Sequence, residues 1–224
     1  MRTGREATRP FNRINVPPSE VVMSAQSDFL AAADAFSRLV AQIDDEEWGR
    51  TALGVWTVRD LVGHTSRALR TVVDYLHEPA DHVDVASTVE YFEVALRGAD
   101  HAVVAARGVA AGQALGSEPA TAVATLVDQV RRVLGSVAGT DPLLTTLVGG
   151  MRLSDYLPTR TFELAVHCDD LARATGRRST MPDQVLGEAA ALAARLAARR
   201  GSGGEVLAAL TGRGALPEGF GALG

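Results

Sequence analysis

Glu163 and His167 stand four residues apart in the run Thr161-Phe162-Glu163-Leu164-Ala165-Val166-His167. On a helix that spacing places both side chains on one face, with Cβ atoms about 5–6 Å apart. A carboxylate oxygen and an imidazole nitrogen so placed can share one divalent cation. The pair alone is weak evidence, because short motifs match by chance and most such pairs are solvated. His64 supplies a third candidate donor from a distant stretch. A single histidine at the edge of an apolar stripe is more often structural than a ligand. In helix bundles, however, metal sites are assembled from inward-pointing side chains on facing helices. One histidine from one helix and a Glu/His pair from another would make three ligands. A fourth position would stay open for water or a thiolate, the pattern of catalytic rather than structural zinc sites. The donor set suits zinc, and nickel or iron would also accept it.

Other chemistry is absent or weaker. The sequence holds no glycine-rich dinucleotide fingerprint, P-loop, nucleophile elbow or His-Glu-x-x-His motif. Arg160, one turn before Glu163, could bind an anionic substrate group or simply reach solvent along its apolar stem, and Arg67, one turn after His64, offers the same choice. His77, Glu78, Asp81, His82 and Asp84 form a polar cluster without helical spacing and read as a solvated loop. His101 falls mid-helix without a partner. Cys168 is the one cysteine, which excludes an internal disulfide and a Cys-based zinc cage. One helical step turns it about 100° from His167, so it reads as a small buried hydrophobe. Tyr156 shares a stripe with Arg160 and Glu163, as pocket wall or as packing. Trp48 and Trp56 read as packing residues.

The elements that must position these groups are helical. Phe29, Leu30, Ala33, Phe36, Leu39, Val40 and Ile43 recur at three and four, which predicts an amphipathic helix from Ser27. Thr57 with Asp60 makes a capping box that opens the helix bearing His64, and Trp56 stands before it like a staple residue. Ser87 and Glu90 form another box, predicting a helix to about Arg107, followed by a loop punctuated by Gly112, Gly116 and Pro119. A further helix is expected from Pro119 to Val137, then an irregular stretch with a short extended piece at Leu143 to Val148. Ser154 is expected to cap the Glu163/His167 helix, which Gly176 ends. Pro182 opens a helix to Arg200, and a short last one covers Glu205 to Leu210. No strand alternation of any length and no repeat is visible. The expected class is all-α, a bundle of long antiparallel helices with additional C-terminal helices.

Composition agrees. Across 224 residues, 46% hydrophobic and 22% charged, with a mean hydropathy of +0.07, describe one globular domain. No apolar run reaches the roughly 18–20 residues of a membrane span. A net charge of −5 argues against nucleic acid as a partner, which needs a basic face. All 22 basic residues are arginine. The first 24 residues carry arginines and prolines but no secretory apolar core, and read as a disordered tail or a start placed upstream of Met23. Residues 25–224 form the expected single domain, with a cytoplasmic address by default.

Gly54-Val55-Trp56-Thr57-Val58-Arg59-Asp60-Leu61-Val62-Gly63-His64 resembles the Trp-Thr-x-Arg-Asp-Leu-x-x-His signature of the mycothiol-dependent maleylpyruvate isomerase N-terminal domain family. Gly149-Gly150-Met151-Arg152-Leu153-Ser154-Asp155-Tyr156-Leu157 with Glu163 and His167 is similar to its second signature, and Leu210 to Pro217 to its tail. The resemblance runs from about Asp28 to the C-terminus. It implies a DinB-like four-helix bundle with His64, Glu163 and His167 as metal ligands, usually to zinc. It implies mycothiol as cosubstrate and a transferase or isomerase acting on a small electrophile through a metal-activated thiolate. Such bundles often pair, so a homodimer is expected. The isomerase carries a further C-terminal domain that helps complete its active site. The stretch after Gly176 is shorter than such a domain, which keeps two alternatives: a non-catalytic metal- or ligand-binding module, and a thiol-independent zinc hydrolase.

Overall fold

The computed structural model describes residues 18–98 and 100–223. Eight helices and two small hairpins follow in the order α1 (Pro18–Val40), β1 (Thr51–Leu53), β2 (Trp56–Thr57), α2 (Val58–Tyr75), α3 (Thr88–Arg97), α4 (His101–Ala114), α5 (Pro119–Ser136), β3 (Leu143–Thr146), β4 (Gly149–Arg152), α6 (Leu153–Ala174), α7 (Asp183–Arg199) and α8 (Gly203–Leu210). The expected all-α class holds, with the strands confined to the two antiparallel hairpins. Helices α1, α6, α2 and α5 pack each against the next and close a four-helix bundle. Phe29, Phe36, Leu61, Leu69, Val123, Val130, Leu157, Leu164 and Leu171 fill its interior. Their recurrence at three and four gives each helix one apolar face, and burying those faces together drives the assembly. Helix α7 lies on α6, and α8 on α7. Among the described residues no helix is long and apolar enough to cross a membrane.

Each helix bearing a candidate ligand is launched from a hairpin. β1 and β2 pair just before α2, whose capping box is formed as the sequence predicts: Thr57 accepts from the Asp60 N–H, and Asp60 accepts from the Thr57 N–H at 3.0 Å. β3 and β4 pair just before α6. The extended piece expected at Leu143 to Val148 is the first strand and turn of this hairpin. Asp84 pins the second strand by accepting from the Gly150 N–H at 2.7 Å.

Four expectations are corrected. The first helix starts at Pro18, not Ser27, because Val22 and Ala25 extend its stripe backwards; Val22 is buried. Residues 18–24, expected in the tail, are therefore helical, and residues 1–17 lie outside those described. The single helix from Ser87 to Arg107 is two helices. Asp100 caps α4 by accepting from the Ala102 N–H, so His101 opens a helix and is exposed rather than mid-helix. Helix α4 runs through Gly112, expected in a loop. There it meets α2 backbone to backbone: a Cβ on Gly63 would lie 2.1 Å from the Gly112 nitrogen. Finally, Ser154 does not cap α6. Its N–H and hydroxyl both donate to the Asp141 carboxylate at 2.9 Å, so Asp141 supplies the capping oxygen from the preceding loop.

Candidate metal centre

His64, in the second turn of α2, and the Glu163/His167 pair on α6 face each other across the α2–α6 contact. His64 Nε2 lies 3.9 Å and His167 Nε2 3.4 Å from Glu163 Oε2. One donor atom from each of the three residues falls within 4.8 Å of the other two. Tetrahedral bonds of about 2.0–2.2 Å hold donors about 3.5 Å apart, so one cation fits among them with little adjustment. The side chains are 17%, 24% and 13% exposed for His64, Glu163 and His167, so the cluster stands at the border of the core. Among the described residues this is the one group of three or more His, Cys, Asp or Glu side chains at ligand spacing.

The donor chemistry also fits a cation. Neither ring nitrogen of His64 is hydrogen-bonded by a described residue, and its Nδ1 is fully buried. An unsatisfied polar atom in the interior costs free energy unless something else binds the ring. Burial and the neighbouring His167 hold the His64 imidazole down to about 4, so it is neutral and carries a lone pair at ordinary pH. Burial would raise the Glu163 carboxyl, but the hydrogen bond from His167 and the charge of Arg160 outweigh it and bring it down to about 2. Burial would lower the His167 imidazole, but its hydrogen bonds to Asp170 and Glu163 outweigh that and lift it to about 9. A cation would take the place of the proton that His167 shares with Glu163.

Two residues of the site carry no metal-ligand spacing in the sequence. Asp170 Oδ2 sits 3.1 Å from His167 Nδ1, a carboxylate orienting the imidazole from behind. Its position three residues after His167 is the signal that could have revealed it. Trp56 was expected to pack, and it does so on the site itself: its ring lies 4.4 Å from that of His64, which in turn meets His167 edge-on at 4.9 Å.

Arg160 does not snorkel away. Its guanidinium lies 5.1 Å and 5.2 Å from the Tyr91 and Tyr156 ring centres, and its Nε donates to the Thr159 hydroxyl. It makes no ion pair among the described residues, and its charge bears on Glu163 and His64. Arg67 is half-buried on the same side of α2. Tyr156 is wholly buried and donates to the Thr71 hydroxyl, which settles it as packing. Trp48 packs against the core with Arg59 over its ring. Cys168 is buried as expected, with its thiol pushed up to about 12 by burial. The His77–Asp84 stretch is an exposed loop in which His82 pairs with Asp84 at 3.0 Å.

A family model described as mycothiol maleylpyruvate isomerase N-terminal domain matches residues 29–172. No curated protein and no solved structure matches the chain. The matched span covers more than half of the sequence and runs from α1 through the whole ligand-bearing part of α6. The chain belongs to the mycothiol maleylpyruvate isomerase N-terminal domain family, with the helical bundle of the DinB-like proteins.

Proposed function

We propose that His64, Glu163 and His167 hold one divalent cation, zinc by the donor set, and that the protein uses it to transfer or isomerise a small electrophile with mycothiol as cosubstrate. The convergence of the three donor atoms within 4.8 Å, from helices distant in sequence, carries the reading. Two imidazoles and one carboxylate leave a coordination position free, as in catalytic zinc sites. A cation held there would lower the pKa of a ligated thiol, so that its thiolate, the nucleophile, is present near neutral pH.

The chain's own residues prepare that position. His64 stays neutral because burial disfavours its charged form. Asp170 holds the far nitrogen of His167 and so directs the near one at Glu163. Arg160, stacked on Tyr91 and Tyr156 without a carboxylate partner, would take an anionic group of the electrophile. The Trp56 and His167 rings cover His64 and limit water around it.

Thiol-dependent turnover of model electrophiles by the metal-loaded protein, lost with a chelator and lost in Glu163→Gln, is the expected result. Binding of metal and thiol without turnover across a broad electrophile panel would overturn the catalytic reading and favour the non-catalytic module. Metal-dependent hydrolysis indifferent to thiol would overturn it in favour of a hydrolase.

A further inference from the structure

Trp56 precedes the Thr57 cap, and neither its place in β2 nor its burial requires it to touch the candidate metal centre. Three contacts fix it there. Its Nε1–H donates to the Ala105 carbonyl of α4 at 3.0 Å. Its six-membered ring and indole nitrogen lie where Gly108 has no side chain: a Cβ at Gly108 would stand 2.6–2.7 Å from Cε2, Cζ2 and Nε1. Its other neighbour is the His64 ring, 4.4 Å away and tilted by 32°. The His64 imidazole, with no hydrogen-bond partner of its own at buried Nδ1, is thus held by ring contacts, Trp56 on one side and the edge of His167 on another.

A ligand imidazole is normally oriented by a hydrogen bond to its second nitrogen. Asp170 performs that task for His167, and nothing among the described residues performs it for His64. We infer that Trp56 is the positioning residue for His64, locking its rotamer by ring contact, and that helix α4, through the bare backbone at Gly108, sets where the indole stands. The inference rests on the metal reading above but concerns residues that are not ligands. The mechanical chain runs from α4 to Trp56 to His64, so a change on α4 reaches the cation without touching a donor atom.

The test uses the full chain and Co(II) or Zn(II) alone as probes. The chain has two tryptophans, so Trp48→Phe leaves Trp56 as the one indole emitter. Co(II) should quench most of its emission, whereas Trp56→Phe, which keeps Trp48, should be quenched far less. Zinc affinity should fall about tenfold in Gly108→Ala, the loss typical when the support of a ligand is disturbed. In the Trp56→Phe background, where the smaller ring gives the new methyl room, the same substitution should change affinity within about twofold. Melting of each metal-free variant separates a folding defect from a site defect, and a methyl that merely disturbed α4 would cost affinity equally in both backgrounds. Equal losses in both backgrounds, or Trp56 emission in the Trp48→Phe protein indifferent to bound Co(II), would overturn the inference. The quenching arm needs no change at Trp56, so it decides even if Trp56→Phe fails to fold. Should the unaltered chain bind neither metal, the metal reading itself falls, and this inference with it.

Discussion

At His167 a proton stands where a cation would bind. Glu163 holds that proton at Nε2 while Asp170 accepts from Nδ1, and together they keep the imidazole charged against the cost of burial and lift it to about 9. His64 and Glu163 need lose no proton at neutral pH, being held to about 4 and about 2. Metal must therefore displace one proton. Zinc affinity should rise about tenfold per pH unit below the His167 value and level off near it, because the protonated imidazole cannot ligate. Calorimetry in buffers of different ionisation enthalpy should count about one proton released per ion bound at pH 7; affinity flat between pH 6 and 8 would contradict it. Asp170 has a second effect, orientation, which separates from the first near the His167 value, where proton competition costs only about twofold. Measured at about pH 9, Asp170→Asn should cost roughly tenfold in zinc affinity, and an unchanged constant would show that the carboxylate orients nothing.

The elements carry this geometry through their starts and their crossings. Helix α2 is fixed by its capping box at Thr57 and Asp60 and by the backbone contact of Gly63 with Gly112. A methyl at Gly63 meets main chain, which cannot rotate away as a side chain can. Gly63→Ala should destabilise the protein by about 3 kcal/mol or more, at the upper end for overpacking, read from denaturant unfolding. A cost below about 1 kcal/mol would mean that α4 is not held against α2 as described. The helices themselves were legible because caps and stripes are local signals. Thr57 with Asp60 and Gly176 after α6 do in the structure what their types imply, and Ser87 caps α3 as expected, but Glu90 accepts from the Ala86 N–H and not from that of Ser87, so the second box is only half formed. The break between α3 and α4 is marked by local signals that the predicted single helix runs through: Gly98 ends α3 and Asp100 caps α4. The role of Asp141 at α6 was hidden, because the capping oxygen comes from a loop, across a hairpin.

For the whole molecule, the candidate site depends on α2 and α6 being neighbours although α3, α4 and α5 intervene in sequence. Spacing could pair Glu163 with His167, since one helix sets both. It could not bring His64 to them, because no local rule states which helix faces which; the resemblance of two separate signatures did that, and the bundle agrees with it. Trp56 and Gly108 remained invisible for the same reason, their contact joining β2 to α4 through shape and one hydrogen bond distant in sequence. The proposed function requires these three side chains to bind one cation and leave room on it for a sulfur. X-ray absorption on the zinc-loaded protein, before and after addition of a low-molecular-weight thiol, reads both. A nitrogen and oxygen shell at about 2.0–2.2 Å with imidazole scattering, joined by one sulfur at about 2.3 Å when thiol is present, is the expected result. A shell that never gains sulfur, or one that persists unchanged in His64→Ala, would contradict it.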